Sequence, residues 1–376
     1  MKIILLGTAS PYRGGLASFN ERLIGEFLKN GHEAEIFTFT LQYPTFLFPG
    51  TTQLADSRAS SEIKIKRRVN SVNPLNWKKV GREIKRLSPD ILIIKYWMPF
   101  MAPCFGTIAK IAKQNNKTKV ICIADNIIPH ERKFYDNLFT NYFIKQVDAF
   151  VVMSESVLAD LKKFDHKKPV VLNPHPVFDN FGEKISKDQA LKNLHLSPLK
   201  NYILFFGFIR NYKGLDLLLN AFANERLRNL NLQLIIAGEY YTDEKQYLQL
   251  INDLKLNDHI IQFNKFIPDK DVKNYFCAAD LVVQPYKHAT QSGVTQIAYH
   301  FEVPMIVTNV GGLAEIVPDK KVGYVVDQSP AEIASAIIDF YSSTRKSIFI
   351  ANIKEEKKRF GWDKMMDAIL DIYSTT

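Results

Sequence analysis

The chain has 376 residues, 46% of them hydrophobic and 23% charged. That is enough for two domains with separate cores, and it excludes an intrinsically disordered chain. The formal charge is +10, and all of it lies in the first half: residues 1–180 hold 26 Lys and Arg against 16 Asp and Glu, leaving 23 of each kind in residues 181–376. An anionic partner for the first half is therefore expected. Nucleic acid is set aside because these cations form no recognisable binding module. An anionic membrane surface remains, beside the alternative of a merely solvated basic surface. No apolar run reaches the roughly 18 residues of a spanning helix. The opening apolar stretch is too short for a signal peptide, and Cys104, Cys122 and Cys277 sit apart in apolar runs. A reduced, cytoplasmic protein is expected, and one on the inner face of the membrane remains open.

In chain order, Ile3–Leu6 reads as a strand, followed by a glycine loop containing Gly14-Gly15. Leu16, Phe19, Leu23 and Phe27 then recur at helical spacing up to Gly31. A strand, glycine loop and helix place a phosphate or sugar at the top of a parallel sheet, although many such loops need a glycine only for the turn. Ala34–Thr40 is a second strand. Residues 41–76 show no clear period; Phe46-Leu47-Phe48-Pro49-Gly50 and the basic run Lys64–Arg68 read as a loop for a membrane surface or an acceptor, or as a loop packed on its own aromatics. A basic helix over Trp77–Leu87, strand Ile91–Lys95, helix Pro103–Lys113 and strand Val120–Ala124 follow. That last strand delivers Asp125, Asn126, His130 and Glu131 at its carboxyl end, where open α/β sheets place ligands. His130 is the catalytic candidate of this loop, and Asp125, Asn126 and Glu131 are acceptor-side candidates. Strands Ala149–Ser154 and Val170–Asn173 complete a domain over residues 1–175, and Ser154 reads as a helix N-cap.

After a polar linker the alternation restarts with strand Tyr202–Phe208. A helix from Leu215, strand Leu232–Ala237, helix Lys245–Leu254, strand Ile260–Phe266 and a helix ending at Ala278 follow. Then come strands near 281, 304 and 322 and helices from Ala331 on. Two parallel-sheet domains facing a cleft are predicted, 1–175 and 176–360, with residues 361–376 apart from the second. Gly207 ends the first strand of the second domain, and Arg210 and Lys213 stand in the loop before a helix, two cations that would clamp a diphosphate. The stretch from Asp280 to Glu315 is the most informative. Val294, Ile297, Ala298 and Phe301 mark a helix whose N-terminus, Ser292-Gly293, follows a strand end. Free amides and the helix dipole favour a phosphate there, and an ordinary cap and loop glycine is the plainer reading. Gln291, Ser292, Gly293, Val294 and Gln296 are donor-binding candidates, with Gly14, Gly15, Gly207, Gly311, Gly312 and Glu315. Asp269-Lys270-Asp271 matches the Asp-x-Asp of metal-dependent enzymes, but it opens a helix and N-capping explains it; no metal is expected.

With these pieces in place, the chain resembles the GT-B glycosyltransferases, and among them glycosyltransferase family 4. The run Pro304-Met305-Ile306-Val307-Thr308-Asn309-Val310-Gly311-Gly312-Leu313-Ala314-Glu315 is similar to the family's P-V-V-A-T-D-x-G-G-x-x-E. The resemblance implies two Rossmann-like domains and a last helix crossing back to the first domain. It also implies a nucleotide-sugar co-substrate, UDP- or GDP-linked, held by the second domain, and a glycan or lipid-linked glycan acceptor held by the first. Transfer with retention of configuration and without a metal or other cofactor is implied as well. Two positions depart from the pattern. Phe208 stands where the family has an arginine, with Arg210 and Lys213 as substitutes. Ala289 and Ile297 stand where the family has two glutamates seven residues apart. A non-catalytic nucleotide-sugar-binding protein and a sugar-nucleotide epimerase are the rival readings.

Overall fold

Short apolar strands that pair in parallel build both halves of the chain, as continuous hydrophobic runs bounded by helices require. The computed structural model describes residues 1–44, 54, 63–129, 133–289 and 292–376. His130, Glu131, Gln291 and the aromatic run 46–50 lie outside the described residues. The chain divides into two units, Met1–His175 with Trp362–Thr376, and Pro176–Gly361.

The first unit holds a seven-stranded sheet in the order β3-β2-β1-β4-β5-β6-β7. Its strands are β1 (Lys2–Leu6), β2 (Glu33–Leu41), β3 (Ile65–Asn70), β4 (Ile91–Tyr96), β5 (Lys119–Ala124), β6 (Ala149–Val152) and β7 (Val170–Leu172). β1 and β4 have almost no exposed side chain on either face, which is why they read as unbroken apolar runs. Helices α1 (Gly15–Lys29), α2 (Pro74–Leu87), α3 (Ala102–Ala112) and α4 (Asp136–Ile144) are among those that cover the sheet. The helix Trp362–Ser374 belongs to this unit, packing on α1 and on β5, β6 and β7.

Two features of this unit differ from the sequence reading. The basic run Lys64–Arg68 is not loop: from Ile65 it is the edge strand β3, and its cations hide the alternation. Lys66 pairs with Glu35 at 2.7 Å, Arg67 Nε donates to the Phe39 carbonyl at 3.1 Å, and Arg68 pairs with Glu83 at 3.1 Å. Charge on an edge strand also discourages pairing with other chains. The helix α4 (Asp136–Ile144) carries no clean apolar period, because its buried stripe includes Asp136 and Thr140 while the apolar Leu138 is exposed. Ser154 caps its helix as expected, accepting from the Val157 amide at 3.3 Å.

The second unit holds a six-stranded sheet in the order β10-β9-β8-β11-β12-β13. These strands are β8 (Asn201–Phe206), β9 (Leu232–Ala237), β10 (Ile260–Phe263), β11 (Leu281–Gln284), β12 (Met305–Thr308) and β13 (Gly323–Val326). All described pairings are parallel. β8 stops at Phe206 rather than Phe208, because Gly207 turns the chain at φ +96°. The three cysteines are buried free thiols. Two parallel-sheet, Rossmann-like domains are thus present. Among the described residues, no helix is long and apolar enough to cross a membrane.

Candidate functional site

The carboxyl ends of β8, β9 and β11 meet at the most unusual group of the second unit, the Lys213 ammonium. Lys213 ends a short 3-10 turn, Asn211–Lys213, that follows Gly207. Its side chain is only 8% exposed, yet among the described residues it makes no ion pair. A Cβ placed on Gly207 would lie 2.9 Å from Lys213 Nζ and 3.8 Å from Val294 Cγ2. The ammonium therefore sits where the Gly207 turn meets the first turn of the helix Gly293–Phe301. It also lies 5.7 Å from the centre of the Tyr286 ring. Burial, and then the neighbouring Arg210 charge, lower its pKa to about 7. A buried cation without a carboxylate, beside free amides at a helix N-terminus, is a site prepared for an anion.

Arg210 stands three residues earlier in extended backbone, its guanidinium 5.0 Å over the Tyr241 ring. Tyr241 in turn packs on Phe208, with ring centres 4.5 Å apart. Phe208 is thus one member of an aromatic group that includes Phe266, 6.3 Å from it, and cannot supply the charge that the family's arginine would. The turn itself depends on Gly238, which sequence reasoning missed. A Cβ there would meet the Gly207 carbonyl oxygen at 2.1 Å, so the loops after β8 and β9 touch backbone to backbone. The available signal was a glycine immediately after the apolar run Leu232–Ala237.

The helix N-terminus is built from the inside. Ser292 Oγ donates to Gln284 Oε1 at 2.7 Å and accepts from the Val294 amide at 3.2 Å. Tyr286 and Thr308 extend the network, with Thr308 Oγ1 donating to the Tyr286 carbonyl at 2.5 Å. The Ser292 hydroxyl and the Val294 amide are therefore committed to the cap, which leaves the other amides of this first turn, Gly293 first, as the groups available to a ligand. Gly293 lies against Phe178, whose ring would meet a Cβ at 2.8 Å. Gln296 is fully buried and neither atom of its amide has a partner among the described residues, an orphan that calls for an explanation. Ile297 is buried in the apolar stripe of the same helix, with Ala298 and Phe301, and Ala289 is half-buried. Further along the same edge, Gly311 turns at φ +50° and Gly312 begins a one-turn helix, Leu313–Ile316. Glu315 is exposed, and its carbonyl accepts from Arg359 Nη2 at 2.9 Å.

In the first unit, Gly14 precedes α1 at φ +105° with open space around it, and Gly15 is the first helical residue. Asp125 follows β5 and pairs at 2.8 Å with Lys95, a β4 lysine whose side chain is 1% exposed. Lys95 Nζ also stands 3.5 Å over the Phe19 ring. Burial lowers the Lys95 pKa, and the Asp125 carboxylate works against that shift. Asn126 is half-buried beside it. The Asp269 and Asp271 carboxylates occupy the first turn of the helix Asp269–Ala278. Its cap residue is Pro268, which has no side-chain bond, so dipole complementarity rather than capping accounts for them. Among the described residues no group of three or more His, Cys, Asp or Glu is placed to hold a metal.

Two family models match the chain: "Glycosyltransferase Family 4" over residues 13–179 and "Glycosyl transferases group 1" over residues 200–343. The chain spans about half the length of the first curated relatives it matches. A fuller match is the O-antigen chain mannosyltransferase C of Escherichia coli, 25% identical over 96% of this chain and 94% of that one. Among solved structures, sucrose-phosphate synthase from Thermosynechococcus elongatus has a TM-score of 0.77 at 16% identity, covering 100% of this chain and 99% of its own. HepE of Anabaena, in complex with UDP-glucose, has a TM-score of 0.72 at 17% identity, with 100% of both chains covered. The two family models and the fold shared with these structures place the chain among the GT-B glycosyltransferases of the family 4, group 1 type, and it belongs to that family.

Proposed function

We propose that the chain transfers a hexose-type sugar from a UDP- or GDP-linked donor to a glycan or lipid-linked glycan. The observation that carries this reading is the buried Lys213 ammonium, without a carboxylate, at the N-terminus of the Gly293–Phe301 helix. Departure of a nucleoside diphosphate leaves the sugar cation-like and places new negative charge on the leaving oxygen. Lys213, Arg210 and the Gly293 amide receive that charge, while the Val294 amide, held by the Ser292 cap, fixes the helix start beside them; one such donor typically contributes a factor of ~10²–10³ in rate. With the leaving charge met by protein groups, the reaction needs no divalent ion, and chelation by EDTA leaves the rate unchanged. Attack follows the departing diphosphate on the same face, so configuration is retained without a covalent intermediate; among the described residues this group holds no carboxylate that would form one. Gly207, Gly311, Gly312 and Glu315 line the donor side. Gln296 supplies a buried amide for a donor hydroxyl, which would answer its orphaned state. Asp125 and Asn126, with His130 and Glu131 of the same loop, orient the acceptor. The E. coli relative's name, a mannosyltransferase of O-antigen chains, supports a glycan acceptor.

The test is a thermal-shift series with UDP, GDP and ADP sugars, since a ligand of the native state raises the melting temperature. UDP or GDP sugars should raise it, and Arg210→Ala with Lys213→Ala should abolish the rise and the release of nucleotide. The apolar Ile297 and small Ala289 favour a second reading, a binding protein without turnover. Binding with no transfer to any glycan, and no donor hydrolysis, would decide for it.

A further inference from the structure

Helices α2, α3 and α4 form one layer over the first unit's sheet. A Cβ on Gly81 of α2 would meet Ile111 of α3 at 2.8 Å, and Thr107 of α3 is 3.0 Å from the Tyr142 hydroxyl of α4. The outward side of this layer carries one sign of charge. Lys78, Lys79, Arg82 and Arg86 fall on a single exposed face of α2, Lys110 is exposed on α3, and Lys145 is exposed just past α4. None of these six is in an ion pair among the described residues. The carboxylates on the layer are Glu83, which pairs with Arg68, and Asp136, which is buried.

The same layer exposes apolar side chains, and at one edge only. α2 and α4 follow β3 and β5 of a parallel sheet, so both helices begin at the carboxyl edge. At that edge Phe134 is 98% exposed, Leu138 is 68% exposed one turn later, and Leu75 is 76% exposed at the start of α2. Lys133 is exposed beside Phe134. Scattered exposed leucines need no explanation, but a fully exposed phenylalanine one turn from an exposed leucine, with another exposed leucine at the same edge and unmatched cations across the layer, does. Just inside this edge lies a cavity of about 260 Å³ walled by Tyr43, Phe100, Pro129 and Tyr135.

We propose that this layer docks the protein on an anionic lipid bilayer. Phe134, Leu138 and Leu75 enter the headgroup–acyl boundary, and the cations of α2 meet lipid phosphates. Charge complementarity selects the occupant, because the first half of the chain holds the entire net charge of +10. The inference rests on the proposed reading and sharpens its acceptor side: a sugar acceptor carried on a lipid would be presented at the unit's carboxyl edge.

Co-sedimentation of the full chain with vesicles tests it. Vesicles of phosphatidylglycerol and phosphatidylcholine in equal parts should pellet the protein at low salt, and phosphatidylcholine alone should not. Each cation near the surface contributes about fivefold, so the triple variant Lys78→Gln, Lys79→Gln, Arg82→Gln should bind roughly a hundredfold more weakly. Phe134→Ser with Leu138→Ser should weaken binding about tenfold, while Lys364→Gln, on the C-terminal helix, should leave it unchanged. Both multiple variants should keep the wild-type melting temperature and nucleotide shift, which separates docking from folding and from donor binding. Equal pelleting of wild type and both variants overturns the proposal. So does capture by free RNA that competes away the vesicles and ignores Phe134→Ser. Absence of any nucleotide shift with vesicle binding intact overturns the proposed function and leaves the docking surface standing.

Discussion

Each unit buries one lysine at the carboxyl edge of its sheet, and the two are kept in opposite ways. Lys95 has Asp125 at 2.8 Å and the face of Phe19 at 3.5 Å, so its charge is answered within the unit. Lys213 has no carboxylate among the described residues; Arg210 beside it adds like charge, and burial brings its pKa down to about 7. The first arrangement fixes a loop, and the second waits for a charge from outside. Buried cations are costly when unmatched, so one kept without a carboxylate and with a lowered pKa marks a candidate site for an anion from outside.

Substituting each lysine should break this comparison in opposite directions. Lys95→Met takes the ammonium away from the largely buried Asp125 carboxylate, which costs about 3–5 kcal/mol at most. The melting temperature should fall by roughly 6–20 °C in calorimetry. An unchanged melting temperature would show that the pair is not internally matched as described. Lys213→Met removes an uncompensated buried charge, so the unliganded protein should melt a few degrees higher. The same variant should lose a factor of ~10²–10³ in transfer rate and its thermal shift with nucleotide sugar. A variant that melts lower and still turns over would place Lys213 in the structural class with Lys95. Gly238→Ala comes next: its Cβ cannot coexist with the Gly207 carbonyl, so the two loops must part. Nucleotide affinity should fall more than stability, as measured by calorimetric titration against thermal unfolding.

The same contrast explains what the sequence disclosed. Strands such as Ile91–Tyr96 and Leu281–Gln284 are buried on both faces, so their apolar runs announce them directly. β3 escaped notice because an edge strand satisfies its cations sideways, through Glu35 and Glu83, and so needs no alternation. At the site, Arg210 and Lys213 were legible as residues in a glycine-bounded loop. Their inequality was not: that Lys213 turns inward while Arg210 lies over Tyr241 is decided by tertiary packing. Ser292 shows the converse. Its place at the helix start was readable, but its hydroxyl is engaged by Gln284, eight residues earlier in sequence and across a turn. The Lys95–Asp125 pair was invisible for a related reason, since parallel pairing of β4 and β5 brings together residues thirty apart.

The smallest expected effect is also the sharpest discriminator, the dependence of donor binding on pH. Free Lys213 has a pKa lowered to about 7, and a bound diphosphate must raise it, because the anion favours the ammonium. Affinity is then fully present below pH 7 and is lost as pH rises through the free value, by at most about tenfold per pH unit, until the pKa of the complex is passed. Binding at pH 8 should take up close to one proton, seen as a dependence of calorimetric heat on the ionisation enthalpy of the buffer. Folding carries the opposite sign: the unfolded chain holds the proton more tightly than the native one, so stability without ligand increases as pH rises from about 7 toward the ordinary lysine range. Lys213→Arg keeps a cation that does not titrate here, and should flatten the affinity profile. Affinity and heat that stay level from pH 6.5 to 8.5 in the wild type would mean that Lys213 never meets the donor.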